Sequence, residues 1–384
     1  MAADAGKIRE LYEREEQAGR YATAPGDIPF SYTRITPEWL THHICRGHLG
    51  AKVTSFRLDE KDDGTSNRQR IFLTYNDAGN AARLPPSVFC KASQGLLNRI
   101  NLALSGGTHA EVTFYNKVRP LLSLNIPRCL LATYDPESFN SIIMLEDIGA
   151  EVAFCNHATP MTEAEVAGQI ELLAGMHGQF FDKPRYTPAT LGLWTWPQFF
   201  YAVVSYGHEQ ATNNGFLAAE SVIPPRLFKR FKEIWPATCF AVDQHKTLPA
   251  TLLHGDCHLK QWFKGPAPGQ MGVSDWQCAT FGSWARDIAY VMATSSAIGD
   301  RRRWERDILK HYLGCLARTG AAAPGFDEAW LRYRQNMVSV LSWWTGTLTP
   351  TEDQPDMQPR ETSLEFIKRI THAIDDLDAL AVCR

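Results

Sequence analysis

Several things are missing from this 384-residue chain, and each absence excludes something. No apolar run approaches the ~20 residues that a membrane-crossing helix requires. The N-terminus has no apolar core of the export-signal kind; Lys7 to Glu16 reads as a charged helical stretch instead. An excess of positive charge is also missing. The formal net charge is -3 and the longest basic run is Arg301-Arg302-Arg303, so the chain has no electrostatic footprint for nucleic acid. That triplet is expected to be the solvated first turn of a helix behind an Asp300 cap. The nine cysteines lack paired spacing and are odd in number, which predicts reduced thiols and a cytoplasmic protein. Internal repeats and low-complexity linkers are absent too. What is there is an ordinary globular composition, 44% hydrophobic and 21% charged, in a chain long enough for two lobes.

After an N-terminal extension the first third reads as strands. Val53 to Leu58 and Arg70 to Tyr75 flank the turn-rich Asp62-Asp63-Gly64-Thr65-Ser66-Asn67, and Ser87 to Lys91 is a third strand. A helix is expected from Thr108, with Val112, Tyr115 and Val118 on one face, stopping before Pro120. Cys129 to Tyr134 and Ser141 to Leu145 read as two more strands. From Pro160 the period turns helical. Thr162-Glu163-Ala164-Glu165 is a capping box ahead of Val166, Ile170, Leu173 and Met176. Further helices are expected near Trp196 to Gly207, Pro225 to Val242, Ala285 to Ser296, Trp304 to Ala317, Asp327 to Trp344 and Ser363 to Leu377. The reading is an α+β, bilobal chain. Residues 1–148 hold the extension and a small five-stranded antiparallel lobe; residues 149–384 form a larger, mainly helical lobe.

One constellation carries chemistry. His254-Gly255-Asp256-Cys257-His258 places a carboxylate on a loop, with the amide of Gln261 five residues on and a second carboxylate, Asp275, beyond Gly272-Val273. Phosphoryl transfer from a nucleotide needs that division. One carboxylate orients the attacking hydroxyl and accepts its proton, while an amide and a second carboxylate hold the magnesium. His254 reads as loop support. His258 reads as loop packing or as a direct participant. Asp287, at the start of a helix, either accepts hydrogen bonds from the loop or caps that helix. A metallohydrolase would use His254, Asp256 and His258 as alternating ligands, but the other histidines form no second cluster.

In the first lobe Lys91 ends an apolar strand, as a lysine reaching toward phosphates would. Glu111 either pairs with Lys91 or turns back to its own helix start within the capping box Thr108-His109-Ala110-Glu111. Ser66 and Asn67 lie in a turn suited to cover phosphates. Met144 is expected to gate an adenine pocket, with the stretch Glu146, Asp147 and Ile148 offering backbone groups to the base.

The loop motif, Asp275-Trp276-Gln277 and Trp284-Ala285-Arg286-Asp287-Ile288-Ala289-Tyr290 together resemble the aminoglycoside phosphotransferase and choline kinase superfamily. The chain is most similar to the branch holding ecdysteroid-kinase-like proteins and bacterial phosphotransferases. The resemblance spans about residues 50 to 345. It implies a protein-kinase-like fold, ATP with magnesium, and transfer of the γ-phosphate to a hydroxyl of a small molecule. It also implies Asp256 as catalytic aspartate, Asp275 as metal aspartate and Lys91 as nucleotide lysine. Gln261 departs from the family's asparagine. Its extra methylene in a strict magnesium shell suggests tolerance of manganese, or alternatively an inactive, nucleotide-binding kinase-like protein. The aromatics Trp194, Trp196, Phe199, Phe200, Tyr201, Trp330, Tyr333, Trp343 and Trp344 are either core or the lining of an acceptor cleft. The second option points to an apolar or amphipathic alcohol.

Overall fold

A computed structural model describes residues 4–350 and 354–384. The chain divides into two compact units. The first takes residues 4–116, Pro127–Ala150 and 354–357; the second takes Lys117–Ile126, 151–350 and Gln358–Arg384. The decapeptide Lys117–Ile126 thus lies in the second unit although it precedes two strands of the first.

The first unit is built on an antiparallel sheet of β1 (Val53–Leu58), β2 (Asp62–Asp63), β3 (Asn67–Tyr75), β4 (Ser87–Ala92), β5 (Cys129–Tyr134) and β6 (Ser141–Glu146). The strand order is β1-β3-β4-β6-β5, with β2 pairing β3. The turn expected across Asp62 to Asn67 is therefore shorter, because Asp62 and Asp63 already pair with Arg68 and Asn67. Alternation along the strands sends Val53, Ile71, Val88, Cys90, Ile142 and Met144 to one face. There they meet Trp39, Leu40 and Ile44 of the helix Pro37–Ile44 in a single buried cluster. That helix carries its own start signal, a Thr36 side chain accepting from Trp39 N–H with Pro37 in the first turn. The helix expected from Thr108 is one of a pair. Leu96–Ser105 comes first, and Gly106 at φ 78° turns the chain into Gly107–Thr113. A π turn, Phe114–Val118, and a 3-10 turn, Arg119–Leu121, then carry the chain through Pro120.

The second unit is helical, with two short sheets. β7 (Ala153–Phe154) pairs β9 (Trp262–Lys264), which pairs β10 (Met271–Val273); β8 (Thr251–Leu253) pairs β11 (Thr280–Gly282). The capping box forms at Thr162 and starts the helix Glu163–Phe180. The long helix Phe326–Leu348 packs against His208–Ala218, Phe231–Gln244, Ala285–Ser295 and Arg360–Asp376. Every residue of Ala285–Ser295 is buried. Arg302 and Arg303 are exposed as expected, but Arg301 is not. The helix begins at Ile298, and Arg301 is buried, paired with Glu305 at 2.6 Å and with Asp376. Asp300 is bonded to Arg303 rather than serving as the cap, which is Ala297. All nine cysteines are free thiols. Among the described residues no helix is long and apolar enough to cross a membrane.

Candidate active site

In the second unit the buried strand β8 delivers the chain into His254-Gly255-Asp256, and its partner β11 leads to the helix Ala285–Ser295. Asp287, in the first turn of that helix, holds the loop. Its Oδ2 accepts from His254 N–H at 2.8 Å and its Oδ1 from Gly255 N–H at 2.9 Å. His177 Nε2 lies 3.3 Å from Oδ2, and His177 Nδ1 is bonded to the Tyr312 hydroxyl at 2.8 Å. Burial alone would push the Asp287 carboxyl up. The hydrogen bond and charge of His177, with His254 beside it, instead hold it below the usual range. Asp287 is fully buried and ionised, so it is an acceptor built for two backbone donors.

Gly255 has φ 80°, and a Cβ there would fall 2.2 Å from the Cys278 carbonyl oxygen. Only glycine fits both constraints. Its own carbonyl accepts from Arg286 Nε at 3.0 Å. The Arg286 guanidinium is fully buried, 3.4 Å above the Trp196 ring, and burial lowers its pKa.

Asp256 follows. Its Oδ1 accepts a 2.6 Å hydrogen bond from the Tyr290 hydroxyl. Burial raises its carboxyl to about 7, aided by the nearby Asp275 charge and opposed by Tyr290, Arg286 and Gln261. Solvent reaches 23% of the side chain, which limits how far burial can act.

His258 is buried and neutral, its pKa pushed down to about 3 by burial and then by Lys260. Its Nε2 faces the Gln261 amide nitrogen at 3.2 Å, and Gln261 also hydrogen-bonds Asp256. With the amide N–H groups directed there, the Gln261 Oε1 is the atom left to accept or ligate. The Gln261 carbonyl accepts from both Ser274 N–H at 2.8 Å and Ser274 Oγ at 3.1 Å. These bonds fasten the Gln261 backbone to the residue before Asp275. Asp275 itself takes φ 69°, a left-handed conformation that aspartate tolerates better than most residues, at a cost of about 1–3 kcal/mol.

In the first unit Lys91 Nζ lies 2.7 Å from Glu111 Oε1, both side chains almost fully buried. The helix carrying Glu111 starts at Gly107 without a side-chain cap, so no capping box forms at Thr108.

The sequence model of the phosphotransferase enzyme family matches residues 89–330, from β4 to the helix Phe326–Leu348. The chain belongs to this family. No curated protein matches the sequence. Solved structures share the kinase-like fold at low identity. A Ralstonia eutropha JMP134 protein assigned to the aminoglycoside phosphotransferases is 15% identical at TM-score 0.52, over 89% of this chain and 96% of the other. An ethanolamine kinase from Plasmodium vivax is 11% identical at TM-score 0.50, over 98% and 94%.

Several residues of this phosphotransferase do something other than expected. Met144 does not gate a pocket on the lysine's face. It pairs with Cys90 and shares that residue's buried core face, while Lys91 pairs with Ile143 and shares the opposite one. Ile143 and Leu145 are the large apolar residues of β6 on the Lys91 face. Asp147 is taken up by Arg70 and Ser87, each at 2.6 Å, and by Gly149 N–H; these bonds outweigh burial and lower its pKa. Glu146 has a half-exposed side chain 3.7 Å from Arg128, and its N–H donates to the Arg128 carbonyl. The Asn67 side chain is a brace. Its Oδ1 accepts from Gln94 and Gly95 N–H, both at 2.8 Å, and its Nδ2 donates to Asp63 and Asn98. The Ser66 carbonyl accepts from Gly64 N–H, and Asn98 bonds the Gly64 and Thr65 carbonyls. The alternating-ligand reading of the loop fails at His254. Its Nε2 donates to the Ser274 carbonyl at 3.0 Å and its Nδ1 accepts from Asp256 N–H at 3.3 Å.

Most of the aromatics are core. Trp196, Phe199 and Phe200 are buried with Cys278 and Leu253, flanked by half-buried Trp194, Trp235 and Trp343; Tyr333 is buried on Glu305. Tyr290 and Arg286 had no role in the sequence reading. The signal was there: residues 286, 287 and 290 fall at i, i+1 and i+4, polar positions clustered on a helix that is otherwise small and apolar.

Proposed function

We propose that this phosphotransferase moves the γ-phosphate of ATP to a hydroxyl of a small molecule, with Asp256 receiving the hydroxyl proton. The observation that carries the reading is the Asp256 loop. Its backbone is clamped by buried Asp287, Oδ1 of Asp256 is committed to Tyr290, and Oδ2, 3.6 Å from His258 Nε2, is the oxygen we assign to the acceptor hydroxyl. The acceptor oxygen forms a bond to phosphorus, the bond to the departing ADP oxygen breaks, and the proton passes to Asp256. A base raised toward neutrality suits that transfer near physiological pH.

Asp275 and Gln261 Oε1 are hard oxygen donors of the kind magnesium takes, and they fit such an ion. A bound magnesium supplies positive charge against the phosphates. Lys91, held by Glu111, is assigned to the phosphates and the backbone of residues 146–148 to the base. We assign an apolar or amphipathic alcohol as acceptor. Its support is the aromatic cluster under the loop, where half-buried Trp343 hydrogen-bonds Cys278. The test is ADP release with magnesium ATP across a panel of steroid, terpenoid, choline-like and aminoglycoside alcohols. Asp256→Asn should cut turnover by at least ~100-fold with ATP affinity retained. Unchanged turnover would remove Asp256 from the mechanism.

A further inference from the structure

We propose that Glu171, His311 and Cys315 form a binding site for one zinc-class divalent ion on the helical unit. Helix Ile298–Arg318 supplies His311 and Cys315 at i and i+4, hence on one face, and helix Glu163–Phe180 supplies Glu171. Their ligand atoms all lie within 4.8 Å of one another, and among the described residues no other such group of three occurs. His311 Nε2 is 2.8 Å from Glu171 Oε1 and 3.5 Å from Cys315 Sγ.

The geometry separates coordination from catalysis. A nucleophile–base–orienter relay uses both ring nitrogens of its histidine, one toward each partner. Here the thiol and the carboxylate converge on the same nitrogen, the arrangement of ligands around one ion rather than of a relay. Tetrahedral zinc, with N at ~2.0 Å and S at ~2.3 Å, sets those two ligands about 3.5 Å apart. The observed Sγ to Nε2 distance already matches. The carboxylate must retreat by roughly half an ångström from its hydrogen-bonded distance. Its 56% exposed side chain allows this, and a fourth position opens to water.

Thiolate, imidazole and carboxylate select zinc-type ions over magnesium. Arg318 Nη2, 3.0 Å from Cys315 Sγ, favours the thiolate against the burial that pushes this thiol up. His311 directly precedes Tyr312, whose hydroxyl holds His177 beneath Asp287. An ion here therefore fastens the two helices that support the Asp256 loop.

The test is cobalt titration of the metal-stripped full-length protein. It should give one saturable equivalent with a thiolate-to-cobalt charge-transfer band, displaced by zinc and unaffected by excess magnesium. Cys315→Ser should abolish the band, and His311→Ala or Glu171→Gln should weaken affinity by at least ~10-fold. Zinc should raise the Tm of the parent and not of these variants. His311 and Glu171 are partly exposed, so their variants should keep the metal-free parent's Tm and circular dichroism. The proposal is overturned by no saturable binding, or by a band that survives Cys315→Ser through other accessible thiols. Parent-like affinity in both the His311 and Glu171 variants overturns it equally.

Discussion

Gln261 is the residue at which this chain parts from its family, and its surroundings show how a longer amide is accommodated. His258, kept neutral by burial, takes one amide N–H and Asp256 another, so the side chain is folded back toward the loop with Oε1 outward. Gln261→Asn should therefore preserve or raise turnover, while Gln261→Ala should lower it. Because magnesium insists on near-octahedral geometry, the parent should lose less on exchange to manganese than the Asn variant does. Equal rates for parent, Asn and Ala with each metal would show that Gln261 is no ligand. Much at this scale was legible in sequence. The spacing of Asp256, Gln261 and Asp275, and of Lys91 and Glu111, singled out residues that the fold places in defined surroundings. Met144 was misread because its face depends on strand parity, and the side-chain partners of Asn67 and Asp147 were not legible because they lie far along the chain. Arg70 lies 77 residues from the Asp147 it binds. A one-residue change of parity exchanges pocket for core.

At the scale of elements, β8, β11 and the helix after them act as one support for the loop. The two backbone N–H groups at His254 and Gly255 have a single acceptor, Asp287. Asp287→Ala leaves both donors buried and unsatisfied, which should cost about 1–3 kcal/mol for each. Gly255→Ala should cost about 1–3 kcal/mol from backbone strain alone, before its contact with the Cys278 carbonyl. Both should lower the denaturation midpoint and remove turnover together. A variant of either kind with parent-like activity would show that the loop does not need this anchoring. The long helices of the second unit were readable from their period. The helix Leu96–Ser105 was not, because its start at Gly95 carries no side-chain cap and its ten residues follow directly on a strand and turn. β2 and β7, two residues each, lie below what any periodicity can reveal.

For the whole molecule, three buried histidines dominate the response to mild acid. His208, His245 and His258 have their pKa pushed from 6.5 to about 3, first by burial, with Arg286 adding to it in His208 and His245 and Lys260 in His258; Asn336 and Asp287 pull His245 partly back, and Asp275 does so for His258. The unfolded chain protonates all three below pH 6.5 while the native state does not. Their contribution is thus complete above pH 6.5 and is lost as pH falls toward 3, by up to ~1.4 kcal/mol per pH unit each. Asp256, raised to about 7, works the other way over the same range, as a single group. The urea midpoint should fall between pH 7 and pH 5; a flat profile would contradict the burial of these rings. The bilobal α+β plan was legible as strand-rich sequence followed by helical sequence. The transfer of Lys117–Ile126 to the second unit was not, since no composition shift marks it.

That transfer bears on how the protein is made. Asn125 accepts from Val273 N–H and donates to the Met271 carbonyl, bracing the strand that ends two residues before Asp275. The ribosome delivers Asn125 some 146 residues ahead of Met271. At bacterial or eukaryotic elongation speeds of about 5–20 residues per second, this decapeptide waits roughly 7–30 s for its partner. Nascent chains arrested before residue 271 should therefore be cleaved by protease within 117–126. Chains arrested well past residue 273 should resist. Equal cleavage in both would mean that the segment finds another resting place during synthesis.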